Sequence, residues 1–423
     1  MNPLAVMHAL AGQPGLFLLD SSDGSGWSYG GVLPRRTWSG STLEDWQAFR
    51  DEARQLLHRP RSGDVPFSSG LMGALSYDLG LLMEGIASRH PETRPGLPLF
   101  SFGQYEAVLA FNTLDGRVTL GGHRDSPAGK MLQEALKATD VPADTAAYPS
   151  IAPVSDQDEA SYVGMVKKAL ALIRSGEIYE INCSRRFDAP LCLSSVEEIG
   201  LYQRLRALSP VPYGAYWDAG DLKVFSASPE AFLELKDGGV VTRPMKGTRP
   251  RGQDAVADAR FLLELESSDK EKAELLMVTD LLRNDLGKVC RTGSVKVQSL
   301  RRIEAYRSVF QAVSCVQGRL ASGRDAFDLI EAAFPGGSVT GCPKHRAMRA
   351  IDDLELSRRG YYTGALGYIS SGGDMKLNML IRTILLDRRG AHFSAGGGIV
   401  ADSDPASEFH ETTLKAEGMI NAL

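Results

Sequence analysis

Cysteine is scarce and unpatterned in this chain: Cys183, Cys192, Cys290, Cys315 and Cys342 are five among 423 residues, with no C-x-x-C pair and no zinc spacing. That argues against a disulfide scaffold and a cysteine-built metal centre, and it suits reduced thiols in a cytosolic enzyme. An excess of charge of one sign is lacking too. The chain has 47 basic and 52 acidic residues, a formal net charge of -5, which gives no general attraction to nucleic acid or to an anionic membrane. No long unbroken apolar run is present. The stretch Met1 to Leu19 has no Lys or Arg before Arg35 and is interrupted by Gly12, Pro14 and Gly15, so neither a signal peptide nor a membrane span is expected.

Two nucleotide-binding signatures are nearly present and fail on chemistry. Gly336 and Gly341 have the separation of a phosphate-binding P-loop, but Cys342 and Pro343 stand where Lys-Ser/Thr is required, and Lys344 comes too late. Gly396, Gly398 and Ala401 satisfy G-x-G-x-x-A, yet the acidic stretch Asp402 to Asp404 follows instead of a helix. Both segments read as glycine-rich loops that can point backbone N–H groups at a carboxylate or other anion.

The chain length allows two or three domains. Strand-like runs at residues 15–19 and 106–111 flank a helical stretch from Leu43 to His58. The proline-bearing polar stretch Gly121 to Ala152, with one short helix, is the candidate boundary between an N-terminal part (1–150) and a second part (155–423). Beyond it an amphipathic helix is expected from Asp156 to Ser175 and a strand from Tyr179 to Phe187. Strands and helices then follow without repeat or regular βαβ alternation, which favours an α+β sheet architecture.

The chemistry-bearing residues cluster in a few places. In the segment 241–252, Lys246 sits in a Pro/Gly-framed turn beside Arg243, Arg249 and Arg251; cationic neighbours and partial burial would lower its pKa and make it a nucleophile. Ser267 to Glu271 has capping-box spacing, placing Glu271 and Glu274 on one helix face, and Asp402 to Pro405 starts a second helix bearing Glu408 and Glu411. Either pair alone reads as a solvated helix face. If the pairs converge, their repulsion calls for a cation, and hard oxygen ligands suit Mg²⁺ bound to an anionic substrate. Arg382, at the end of an apolar strand pattern, is either a paired structural residue or a carboxylate clamp.

Taken together, the blocks Ser228-Pro229-Glu230, Arg243 to Arg249, Lys272 to Asp285, Phe334 to Lys344 and Ala395 to Lys415 resemble, in this order, the chorismate-binding enzyme family. The resemblance covers Asp156 to the C-terminus and is weaker before it. It implies a large mixed or antiparallel β-sheet sandwich flanked by helices, the fold of anthranilate synthase component I. Pro244-Met245-Lys246-Gly247-Thr248 is similar to the Pro-Ile-Lys-Gly-Thr of aminodeoxychorismate synthase component I, where anthranilate synthases have Pro-Ile-Ala-Gly-Thr. Isochorismate and salicylate synthases carry a lysine base in the strand where this chain has Glu180-Ile181-Asn182.

The resemblance therefore implies conversion of chorismate and ammonia to 4-amino-4-deoxychorismate, on the route to para-aminobenzoate and folate; anthranilate synthase component I remains the alternative. It assigns Lys246 as nucleophile at chorismate C2 and Glu230 as proton donor to the departing C4 hydroxyl. Glu274 and Glu411 are implied as principal Mg²⁺ ligands, with Glu271 and Glu408 as a supporting pair acting through water. Ser338, Tyr362, Arg382, Lys415 and the amides of Gly396, Gly397 and Gly398 are implied around the substrate carboxylates. Gln311 stands where many relatives have a histidine tied to pyruvate loss, and it cannot act as a general base.

No nucleophile-elbow cysteine of a glutaminase is visible, so ammonia is expected free or from a glutamine amidotransferase partner. Leu18-Leu19-Asp20-Ser21 and Ser209 to Tyr213 resemble the segments that hold tryptophan in some relatives. Leu19, Asp20, Ser21, Pro212 and Tyr213 either form such a site or pack the domain interface.

Overall fold

The computed structural model describes residues 2–57, 65–91, 94, 96–138, 150–306 and 309–423. His58 and the middle of the expected connection, 139–149, lie outside them.

Period-2 burial explains the architecture. In the strand Phe17–Asp20, Leu18 faces one apolar cluster and Phe17 another; in Ala107–Asn112, Leu109 and Phe111 oppose Val108 and Ala110 in the same way. A strand apolar on both faces must be covered on both. Two large sheets meet this demand by packing on each other, with helices on their outer faces. The inter-sheet core includes Phe17, Tyr29, Phe67, Trp217 and Tyr368, with the rings of Phe67 and Tyr368 stacked at 4.3 Å. Trp46 and Phe49, from the helix Leu43–Leu56, cover the outside of the second sheet.

One sheet has 11 strands and the other 10. Every pairing between the described strands is antiparallel, which resolves the expected mixed-or-antiparallel sandwich toward the latter. Strands from before the connection form one end of each sheet and join the later strands at a single pairing, Phe17–Asp20 with Tyr213–Asp218 in the first and Gly70–Leu75 with Ala365–Ser370 in the second. The expected helix and strand after the connection are present as Glu159–Arg174 and Glu180–Ala189.

The chain crosses between the sheets at two neighbouring corners. Lys223–Ser228 lies in the first sheet and Ala231–Lys236 in the second; Met375–Met379 lies in the second and Thr383–Asp387 in the first. Glu230 sits at one crossing and Arg382 at the other. They are tied by Met379 N donating to Glu230 O at 3.1 Å and Ala227 N to Arg382 O at 3.0 Å.

Candidate active site

Lys246 does not stand in a turn. It lies on the strand Met245–Pro250, which pairs with Val309–Arg319 through a register shift between Met245 and Thr248. Such a bulge re-aims a side chain. Gly247 permits it twice over: its φ is +83°, and a Cβ there would meet the Glu271 carboxyl at 2.8 Å.

The side chain so aimed is buried among carboxylates. Lys246 Nζ donates to Glu180 Oε1 at 2.5 Å and lies 3.8 Å from Glu274 Oε2. The arginines of the same segment turn elsewhere: Arg243 to Glu304, Arg249 to Glu271 and Arg251 to Asp258. This overturns the expectation of a lowered pKa. Burial does push Lys246 downward, but the charges of Glu180 and Glu274 outweigh it, and the net shift is upward. In this state the side chain is an ammonium.

Glu230 is buried at the sheet crossing, and its Oε1 accepts from Ser338 Oγ at 2.6 Å. Burial raises its pKa to about 7 against the opposing effects of Ser338 and Lys246. Glu230 therefore carries a proton near neutrality, as a proton donor must. Glu274 is raised to about 7 as well, chiefly by burial, with Lys246 opposing.

The two helices form as their caps dictate. Ser268 Oγ accepts from Glu271 N at the start of Asp269–Gly287, and Asp404 accepts from Ser407 N at the start of Pro405–Ile420. Their glutamates converge beside the strand Gly390–Ile399: a Cβ on Gly397 would lie 3.1 Å from Glu408 Oε2 and 3.7 Å from Glu411 Oε1, and one on Gly398 3.7 Å from Glu274 Oε2. Lys270 bridges the helices, with its Nζ 2.8 Å from Glu408 Oε1 and 3.9 Å from Glu274 Oε1. Glu271 Oε1 accepts from Arg249 at 2.9 Å, and the residue lines the same cavity as Glu274.

Among the described residues no three potential ligands form a ready metal cage. The donor set nevertheless fits a divalent cation. Glu180, Glu271 and Glu408 each keep a buried Oε2 without a partner, and a lysine ammonium already occupies the space between the two helices' carboxylates.

Gly396, Gly397 and Gly398 belong to a strand rather than a loop. They pair with Ser184, Cys183 and Asn182 on one side. On the other side, pairing with Thr383–Asp387 stops at His392, so that edge is open there. Outward amides can reach an anion directly. Lys415 bonds Gly396 O at 3.1 Å and Glu411 at 2.6 Å. Arg382 holds a strained φ of +50° and has no side-chain partner among the described residues, so its guanidinium is available to an anion. Gly396, Gly398, Lys415, Arg382, Tyr362 and Gln311 line one cavity of about 860 Å³, whereas Gly397, Glu180 and Glu408 are not on its wall.

Matching a chorismate binding enzyme family model over residues 16–421 decides the family. The chain belongs to the chorismate-binding enzymes. Within that family it is 35% identical to an anthranilate synthase component 1 of Haloarcula marismortui over 99% of this chain and 89% of that one. It is 36% identical to the aminodeoxychorismate synthase component 1 of Salmonella typhimurium, over 86% of this chain and 79% of that one. The crystal structure of anthranilate synthase component I from Streptococcus pneumoniae superposes with a TM-score of 0.82 at 31% identity, covering 94% of this chain and 92% of that one. Overall identity does not separate the two reactions.

Motif reading missed three groups of this chorismate-binding chain. Glu180 was legible only as the absence of a lysine, although it is the closest partner of Lys246. Lys270 gave no signal beyond a charged helix face. Glu355 and Arg359 brace the site from below: Arg359 donates to Val339 O and Asn182 O, both at 2.8 Å, and Glu355 accepts from Ser184 N at 2.9 Å.

A second cavity, of about 260 Å³, lies between the sheets and is lined by Leu19, Asp20, Pro212 and Tyr213 with Trp27 and Tyr29. The Asp20 carboxylate is engaged by Arg206 at 2.5 Å and Tyr202 at 3.1 Å. Ser21 is absent from this lining and bonds Asp23 at 3.2 Å.

Proposed function

We propose that the chain converts chorismate and ammonia to 4-amino-4-deoxychorismate, with Lys246 as nucleophile. The observation that carries the reading is Lys246 Nζ itself, bulge-aimed into the substrate-sized cavity and gripped by Glu180 at 2.5 Å. An anthranilate-forming enzyme has no need of an amine there.

For reaction, the Lys246 ammonium must first lose a proton, and the Glu180 carboxylate in contact with it is the acceptor. The free amine adds at C2 of the ring, the double bond shifts, and the C4–O bond breaks as Glu230 delivers its proton to the departing hydroxyl, releasing water. Ammonia then adds at C4 with expulsion of Lys246, leaving the enolpyruvyl ether intact. Arg382, Lys415 and the open-edge amides of Gly396 to Gly398 hold the substrate carboxylates. Glu274 and Glu411, supported by Glu271 and Glu408, would hold Mg²⁺, which supplies charge for the ring carboxylate and offsets the glutamates that keep Lys246 protonated. Gln311, on the cavity wall, offers no base for aromatising pyruvate loss. The ammonia comes from a glutamine amidotransferase partner, and the cavity at Leu19, Asp20, Pro212 and Tyr213 is read as a tryptophan site.

The test is mass-spectrometric product analysis with chorismate, Mg²⁺ and ammonium, for the wild type beside Lys246→Ala. Aminodeoxychorismate from the wild type alone is expected. Anthranilate and pyruvate from both proteins would place the chain in the tryptophan branch instead.

A further inference from the structure

Lys270 stands where helix electrostatics disfavours it. It is the second residue of Asp269–Gly287, and the N-terminal end of a helix favours acidic side chains over cations. The side chain does not turn out to solvent from there. It reaches along its own helix toward Glu274 and across to the helix Pro405–Ile420, where its Nζ donates to Glu408 Oε1 at 2.8 Å. Among the described residues this is its one hydrogen bond. Glu274 Oε1, at 3.9 Å, is held by charge alone.

The fit between this amine and its carboxylates is incomplete. An ammonium is a compact point charge on a long flexible stem, and here it leaves Glu408 Oε2 buried without a partner; Glu271 Oε2, on the same helix as Lys270, is in the same condition. A divalent cation gathering such oxygens would satisfy them more fully than one amine does. The carboxylates are also fixed where the lysine is loose: 3% of the Glu408 side chain and 8% of that of Glu274 are exposed, against 36% for Lys270. Lys270 lines the cavity of about 860 Å³ beside Glu274 and Glu411, which gives it room to swing aside. An ion reaching either carboxylate at about 2.0–2.1 Å would crowd the ammonium and repel it at short range.

We propose that Lys270 and Mg²⁺ are alternative occupants of one position: the lysine holds Glu274 and Glu408 together until the divalent ion enters, and the ammonium then swings into the cavity. Metal and lysine compete, and Lys270 sets how much Mg²⁺ the protein requires. The proposal rests on the reading of the glutamates as Mg²⁺ ligands.

The test is a Mg²⁺ titration of the full chain followed by its melting temperature, for the wild type beside Lys270→Met, Lys270→Gln and Lys270→Arg. The two neutral variants should reach half of their Mg²⁺-induced rise at about one-tenth of the wild-type concentration, and Lys270→Arg, which keeps the charge, should stay within about twofold of the wild type. An equal or higher requirement in the neutral variants would overturn the exchange, since Lys270 would then be a bystander or a support of the metal. Should those variants fail to fold, the wild type alone decides: acetylation of Lys270 by an amine-directed reagent, read by mass spectrometry of its peptide, should be faster with saturating Mg²⁺ than without it. An unchanged or slower rate would also overturn the exchange. If Mg²⁺ shifts the melting temperature of no form, the reading of the glutamates as ligands falls first, and the exchange falls with it.

Discussion

At the scale of single residues, Lys246 shows how far charge in sequence differs from charge in space. Three arginines surround it in the chain, yet its neighbours in the fold are Glu180 and Glu274. A carboxylate partner both fixes the amine and keeps it protonated, so Glu180→Gln should remove the proton acceptor and lower the amination rate about a hundredfold, read by steady-state kinetics. Glu230 gives a pH prediction with a definite sign. Its proton is needed on the acid, and its pKa is raised to about 7, so the rate should be full below that value and fall as pH rises through it. Glu230→Gln should lose about 10²- to 10⁴-fold in rate and flatten that limb, checked by a pH–rate profile. Lys246 and Arg382 stood out in the sequence by their own chemistry, whereas Glu230 and Ser338 came only through the resemblance to the chorismate-binding family; the fold brings all four to one cavity wall. Glu180 was not legible, since a carboxylate in a strand carries no local sign of the amine that a distant bulge will bring to it.

At the scale of elements, the caps and periods written in the sequence are the ones found. Ser268 caps Asp269–Gly287 and so orients both Glu271 and Glu274. Ser268→Ala should destabilise the protein by about 1 kcal/mol, visible in urea unfolding, and weaken Mg²⁺ dependence by loosening that first turn. The glycine run was the element misjudged. Gly396 to Gly398 read as a loop because glycine disfavours strands, but tight packing explains the choice: a Cβ on Gly398 would lie 2.7 Å from Lys246 Nζ. Strand positions were largely legible, whereas strand partners were not. Nothing in Phe17–Asp20 announces Tyr213–Asp218, because the pairing is fixed by burial on both faces of the finished sandwich.

For the whole molecule, the buried Glu355–Arg359 pair joins the strand Glu180–Ala189 to the loop carrying Ser338. Glu355→Ala would strand a buried guanidinium and should cost about 3–5 kcal/mol, measurable as a lower melting temperature. The inter-sheet cavity makes a separate prediction: titration with tryptophan should show saturable heat, reduced in Tyr213→Ala, and no heat would leave that cavity as packing at the sheet interface. The strand order also constrains how the protein is made. The strand Gly390–Ile399 is inserted between Glu180–Ala189 and Thr383–Asp387, so the first sheet closes only once this strand, the last in chain order among those described, has been made. Copies ended early carry neither the open-edge amides nor Glu408 and Glu411. Premature termination therefore yields silent fragments instead of half-active enzymes that would hold substrate without turning it over.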